Sequence, residues 1–296
     1  MRLTDEQVAH FEQHGYVVAE GIITDADLQP AIDAISDFID HRARKLKAEG
    51  EIDDLCADAP FETRYARLYA QSAKIGHGID IMQMRAPAVF EFLRNDNLLD
   101  AIECLVGAEI TCSPIQHLRA KVPRRLTGDQ PDYYHNVPWH QDSGVTWPEA
   151  DTTRIVTCWV PLVDATIERG CMEVLPGVAS GGHLQHQAEG GTQIRPDLLP
   201  KVKPVAAECK KGGAVLMSQF TPHHSTPNLT QWDTRWSLDL RYQATGTPTG
   251  RPFHPNFVVR SPSAPATVLT DHAQWCRMWD EAFAEQQRNP QRAHRV

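Results

Sequence analysis

The chain has 296 residues, 41% apolar and 23% charged, with a formal net charge of −9 at neutral pH. This is the balance of an ordinary globule long enough to bury a substantial core. The negative charge argues against nucleic-acid binding and against attachment to anionic membranes, and no apolar run approaches the ~18 residues of a membrane-spanning helix.

Met1–Glu6 lacks the apolar stretch of a signal peptide. The seven cysteines are scattered without a Cys-x-x-Cys pair, which fits reduced thiols and a cytoplasmic location, with Cys171 expected to be buried and inert. Thr4-Asp5-Glu6-Gln7 reads as a capping box opening a short helix with Val8 and Phe11 inward, stopped by Gly15. Tyr16-Val17-Val18 is strand-prone. Thr24–Asp27 starts a long helix whose Leu28, Ile32, Ile35 and Ile39 form an apolar stripe; its distal part, His41–Gly50, reads as a solvated face. Residues 51–75 carry no clear period, and a turn follows at Gly76-His77-Gly78. Helical patches cover Ala88–Leu93 and Asn97–Val106, the second capped by Asn95 or Asp96.

The character changes at Ala108. Glu109–Ser113, Ile115–Val122, Arg154–Leu162, Cys171–Leu175, Ala214–Phe220 and Arg235–Tyr242 read as strands, with a turn at Glu168-Arg169-Gly170. Residues 123–138, containing Arg124, Arg125, Tyr133, Tyr134 and His135, and residues 178–200 read as loops. Pro248–Pro265 reads as a linker before a final helix with Trp275, Met278, Trp279 and Phe283 on one face. Many short strands after a helical third favour a mainly β fold with flanking helices, a jelly roll or barrel braced at both ends. The expected organisation is a single domain: helical support over 1–107, β core over 108–245, linker and helix over 246–296. No βαβ alternation, Gly-x-Gly-x-x-Gly or phosphate-loop motif is present, which removes most nucleotide and nicotinamide enzymes.

The stretch Trp139-His140-Gln141-Asp142 holds the sole His-x-Asp. On a strand, His140 and Asp142 would share a face and supply two ligands of a 2-His-1-carboxylate iron site. The third would be a distant histidine, with candidates in Thr221–Asn228. The bland alternative is a His–Asp hydrogen bond in a barrel core. His117, His135, His183 and His186 read as loop or surface residues.

Taken together, Phe11–Val18, Trp139–Asp142, Cys158-Trp159-Val160-Pro161-Leu162, Glu168–Met172, Leu175-Pro176-Gly177, His223–Asn228 and Arg235–Tyr242 resemble the phytanoyl-CoA dioxygenase family of Fe(II)/2-oxoglutarate oxygenases. The resemblance implies a double-stranded β-helix, cupin-like, with iron at its mouth. Position by position, it implies His140, Asp142 and His223 as metal ligands and Arg235 as the anchor of the far 2-oxoglutarate carboxylate. Ser225 and Trp159 would line that pocket, with Gln116 near the cosubstrate and Lys121 a further candidate. The sequence departs from the family at Gly212-Gly213 and Pro176–Ser180, and its distal-His to Arg gap is one residue longer, so His224 and Arg241 stand as fallbacks.

The implied reaction consumes 2-oxoglutarate and O2 and releases succinate and CO2, with ascorbate sustaining activity. A carboxylate at Asp142 favours hydroxylation, desaturation or cyclisation over halogenation. A cupin-like metalloprotein without 2-oxoglutarate, or an inactive ligand-binding relative, are the alternatives. The partner is a small organic substrate shaped by loops 51–80, 123–138 and 178–200, with neither nucleic acid nor membrane involved.

Overall fold

Thr4 caps the first helix as its sequence predicts: its hydroxyl accepts from the Gln7 N–H while the Gln7 side chain accepts from the Thr4 N–H. The computed structural model describes residues 1–128, 135–188, 191–292 and 294–296. Tyr133 and Tyr134 lie outside the described residues. The helices are α1 (Asp5–His14), α2 (Asp25–Ala48), α3 (Phe61–Gln71), α4 (Ile81–Met84), α5 (Pro87–Phe92), α6 (Asp96–Val106), α7 (Arg124–Thr127) and α8 (His272–Arg288). The strands are β1 (Tyr16–Ala19), β2 (Ile110–Cys112), β3 (His117–Lys121), β4 (Val156–Pro161), β5 (Met172–Val174), β6 (His186–Gln187), β7 (Gln193–Ile194), β8 (Val205–Ala207), β9 (Ala214–Ser218), β10 (His223–Ser225), β11 (Arg235–Ala244) and β12 (Phe257–Arg260).

A larger antiparallel sheet runs β1-β9-β4-β11-β2-β12, with β3 also paired to β11. A smaller one runs β10-β5-β8, and β6 pairs with β7. Period-two alternation sorts the larger sheet's side chains. Val156, Cys158 and Val160 of β4, Ala214 and Leu216 of β9, and Trp236, Leu238, Leu240 and Tyr242 of β11 pack with the helices in the main core. The opposite faces of β4 and β9 put Trp159, Val215 and Met217 into a second cluster with Met172 and Val174 of the smaller sheet. The polar residues of β11 alternate with the main-core set and share this second face. The site therefore lies between the two sheets, and the helices buttress the outer face of the larger one.

Several details differ from the sequence reading. The helix stripe of α2 continues through Ala43 and Leu46, both buried, so the distal turn is not only a solvated face. His140 and Asp142 are not on a common strand: His140 makes an isolated bridge and Asp142 opens a 3-10 turn, Asp142–Val145. The Pro-rich segment after residue 246 is not a plain linker, because β12 extends the larger sheet by pairing with β2. All seven cysteines are free thiols, and burial pushes Cys171 up to about 11. Among the described residues no helix is long and apolar enough to cross a membrane.

Asp27 ties the helical layer together. Its carboxylate accepts from the N–H and hydroxyl of Thr24 and from the side-chain amides of Asn95 and Asn97 at the start of α6. Burial alone would raise this carboxyl, but these donors outweigh it and hold it at about 2 against an ordinary 3.8. A depressed folded-state value gives stability that is complete above the unfolded value and lost as pH falls through the folded one. Asp27→Ala should cost about 1–2 kcal/mol in urea unfolding at neutral pH. The difference from wild type should shrink from roughly pH 4 toward pH 2.

Candidate metal centre

The site begins with one antiparallel bridge. The His140 N–H donates to the His223 carbonyl at 3.0 Å and the His223 N–H donates back to His140 at 2.9 Å. This sets the two imidazoles side by side, ring centroids 4.2 Å apart. Each ring's Nδ1 lies 2.9 Å from a backbone carbonyl, Pro138 for His140 and Thr221 for His223. A carbonyl only accepts, so each Nδ1 carries a proton and Nε2 is the ring atom that remains to meet a metal. Burial and the neighbouring His223 ring push the His140 imidazole down to about 3, which keeps it neutral.

Asp142 completes the group. Ligand atoms of His140, Asp142 and His223 all lie within 4.8 Å of one another, the sole such cluster among the described residues. Gln141, between the first two, points away and fixes the turn: its amide donates to the Gly182 and Phe220 carbonyls and accepts from the Leu184 N–H. The chain packs closely here. A Cβ on Gly144 would lie 2.8 Å from the His186 ring, so any larger residue would displace that ring.

Asp142 is buried, and its two oxygens are held by different donors. Arg241 donates to Oδ1 at 2.6 Å and the Thr157 hydroxyl donates to Oδ2. Burial alone would raise this carboxyl, but Arg241, His223 and His140 overcome that and hold it far below the usual carboxylate range. Each oxygen has a second lone pair, so these bonds orient the group without using up its capacity for a metal.

A narrow cavity of about 60 Å³ is lined by His140 and His223 together with Thr157, Trp159, Ser225 and Arg235, among others. Arg235 is buried, stacks over Trp159 at 5.1 Å and donates to Ser237. Its Nε has no hydrogen-bond partner, and among the described residues no carboxylate lies within ion-pair distance of its guanidinium. Burial pulls its pKa down to about 10, so it stays charged at neutral pH. The Ser225 hydroxyl accepts from the Lys121 ammonium at 2.8 Å.

The structure thus brings His140, Asp142, His223, Trp159, Ser225 and Arg235 together. Gln116 is elsewhere: its amide donates to the Ser113 and Arg241 carbonyls and accepts from the Arg241 N–H, a clamp between β2 and β11 that leaves nothing for a ligand. His224 turns outward to Glu173 at 2.7 Å, beneath the Trp139 ring. Arg241, the fallback anchor, is occupied by Asp142. His186 and His117 are partnered rather than superficial: the Gln141 N–H donates to His186, and His117 pairs with Asp80. Thr157 went unnoticed in the sequence, although it lies across from Arg241 in the β4–β11 register and shares its face.

These contacts make distinct demands on metal affinity. Under argon, His223→Ala should lose tight Fe(II) binding and His224→Ala should keep most of it, read by equilibrium dialysis. Thr157→Val, which removes one donor to Asp142, should weaken binding by roughly 10-fold or somewhat more. Wild-type affinity in His223→Ala would remove this histidine from the site.

The sequence matches the phytanoyl-CoA dioxygenase (PhyH) family over residues 11–235. It is 24% identical over 272 residues to a phytanoyl-CoA dioxygenase domain-containing protein 1 homolog of Dictyostelium discoideum, covering 82% of this chain and 92% of that one. Its fold is similar to that of the non-heme monooxygenase ThoJ in its apo form, at a TM-score of 0.63 and 18% identity, covering 96% of this chain and 99% of the other. It is also similar to the epimerase SnoN in complex with Fe3+, alpha ketoglutarate and nogalamycin RO, at a TM-score of 0.52 and 19% identity, covering 90% and 93% of the two chains. The chain belongs to the phytanoyl-CoA dioxygenase family.

Proposed function

We propose that the protein is an Fe(II)- and 2-oxoglutarate-dependent oxygenase that oxidises a small organic substrate and releases succinate and CO2. The observation that carries this reading is a pairing within one cavity. His140 and His223, which cluster with Asp142, line it together with a buried guanidinium that has no carboxylate within ion-pair distance among the described residues. The first suits a divalent metal with open positions. The second suits an anion delivered with the ligand, since an uncompensated buried charge is costly. A slender dicarboxylate satisfies both at once. The epimerase SnoN, whose fold is similar, was solved with Fe3+ and alpha ketoglutarate, which supports the assignment. The two facing sheets support reading the fold as a double-stranded β-helix.

In this reading His140, Asp142 and His223 hold iron on one face, and Arg235 takes the far carboxylate through its planar fork. Ser225 and Trp159 line the carboxylate's pocket. The iron supplies the reaction of O2 with the 2-oxo acid, while the protein fixes geometry and keeps the cavity dry. Thr157 and Arg241 keep Asp142 anionic and oriented. That carboxylate occupies a position that a halide would need, so hydroxylation, desaturation or cyclisation fits better than halogenation. A cupin-like protein without 2-oxoglutarate would leave Arg235 without an anion.

The test is O2-dependent succinate release from 2-oxoglutarate with Fe(II) and ascorbate. Arg235→Ala should raise the KM for 2-oxoglutarate by an amount equivalent to roughly 2–5 kcal/mol. Arg235→Lys should recover part of it. Absence of O2-dependent succinate from the iron-loaded wild type, across a broad substrate panel, would refute the reading.

A further inference from the structure

A second cavity of about 440 Å³ adjoins the first and shares Arg119, Val137, His140 and Arg241 with it. That is the size of a pocket for a small organic molecule. Ile115, Val137, Pro138 and Val145 give it apolar walls, while His140 and Asp142 form part of its floor. Loops expected to shape a substrate pocket do reach it, through Asp80, Val137, Pro138 and Thr192. Arg251 and His294, from the segment read as linker and terminal helix, reach it too.

The charges on this wall can be paired off one by one. Arg241 is bound to Asp142, and Arg119 to Asp239. Asp80 accepts from the Ile81 and Leu118 N–H groups through Oδ1 and pairs with His117 through Oδ2. Arg251 is different. It is buried, and its Nε donates to the Val145 carbonyl at 2.8 Å. Among the described residues its two terminal nitrogens have no hydrogen-bond partner and no carboxylate within ion-pair distance. Burial and the neighbouring Arg241 pull its pKa down to about 10, so the charge persists at neutral pH. A cationic substrate would add charge of the same sign beside Arg251, and a neutral one would leave that buried charge without a counter-ion.

We propose that the substrate is a small carboxylic acid with an apolar body, whose carboxylate is taken by the terminal nitrogens of Arg251. This rests on the cavity beside the triad being the substrate pocket of the proposed oxygenase. One guanidinium fork matches one carboxylate in geometry and charge. The Ile115, Val137, Pro138 and Val145 surfaces then cover the carbon skeleton and hold it across the His140–Asp142 face. Arg251 is a binding residue in this scheme, distinct from Arg235, which lines the adjoining cavity and serves the cosubstrate.

The test is equilibrium binding, which needs no turnover. Benzoate, phenylacetate and hexanoate, each beside its primary carboxamide, are titrated by ligand-observed NMR into the full chain loaded with Ni(II) and saturating 2-oxoglutarate. Each acid should bind at least about 10-fold tighter than its amide, the equivalent of ~1.4 kcal/mol. The preference should vanish in Arg251→Gln and survive in part in Arg251→Lys, with folding of both checked by circular dichroism. It should also survive in Arg235→Ala, which separates it from the cosubstrate site and from the oxygenase reading. That reading stands or falls on succinate release instead. Equal binding of acids and amides, no binding of either, or a preference retained in Arg251→Gln would each overturn the proposal.

Discussion

The reciprocal backbone bridge between His140 and His223 is the constraint on which the site depends. The two residues are far apart in sequence and belong to segments with little regular structure of their own. The bridge places their rings 4.2 Å apart, and the two carbonyls beyond them set the same tautomer on both. Two imidazoles held this close gain little from the arrangement alone, and burial together with the neighbouring His223 ring depresses the basicity of His140. The geometry makes physical sense when a cation sits between them. Asp142 then follows from the tight turn after Gln141, whose side chain is bonded outward to the loop at Gly182–Leu184.

Around this bridge the protein accepts an unusual concentration of buried charge. The inward face of β11 carries Arg235, Ser237, Asp239 and Arg241, while its outward face carries Trp236, Leu238, Leu240 and Tyr242. The outward face is core, and it holds the strand in register against β3 and β4. The inward face contributes little to stability by itself, because paired buried charges roughly offset their desolvation. Arg235 and Arg251 are not paired at all among the described residues. Large apolar burial on one face of β11 thus accompanies buried Arg235 on the other, while Arg251 comes from the later Pro-rich segment, and each lines a cavity that includes His140. Such local cost without a structural return is what binding sites are expected to show.

Much of this was legible in the sequence. The capping box at Thr4, the helix start at Thr24, the stripe of α2 and the strand at Val156–Pro161 follow from local signals that the tertiary structure does not override. The alternation Arg-Trp-Ser-Leu-Asp-Leu-Arg-Tyr already encodes one polar and one apolar face. Other features depend on long-range contacts. The bridge that replaces the expected His140/Asp142 strand exists only because β10 comes alongside. The pairing of Arg241 with Asp142 spans distant segments, and so do the clamp made by Gln116 and the addition of β12 to the sheet edge. Arg251 sits in a Pro- and Gly-rich stretch with no periodicity. Only the fold shows that its side chain enters a cavity.

In the proposed function iron and a 2-oxo acid bind together, the iron on the triad and the far carboxylate on Arg235. The most direct measurement is an anaerobic titration of the Fe(II)-loaded protein with 2-oxoglutarate, followed by visible absorption. A band should grow to one equivalent, since it arises only when the 2-oxo acid chelates the protein-bound iron. It should be weaker at matched concentrations for Arg235→Ala. A featureless spectrum at saturating 2-oxoglutarate, with iron demonstrably bound, would contradict the account.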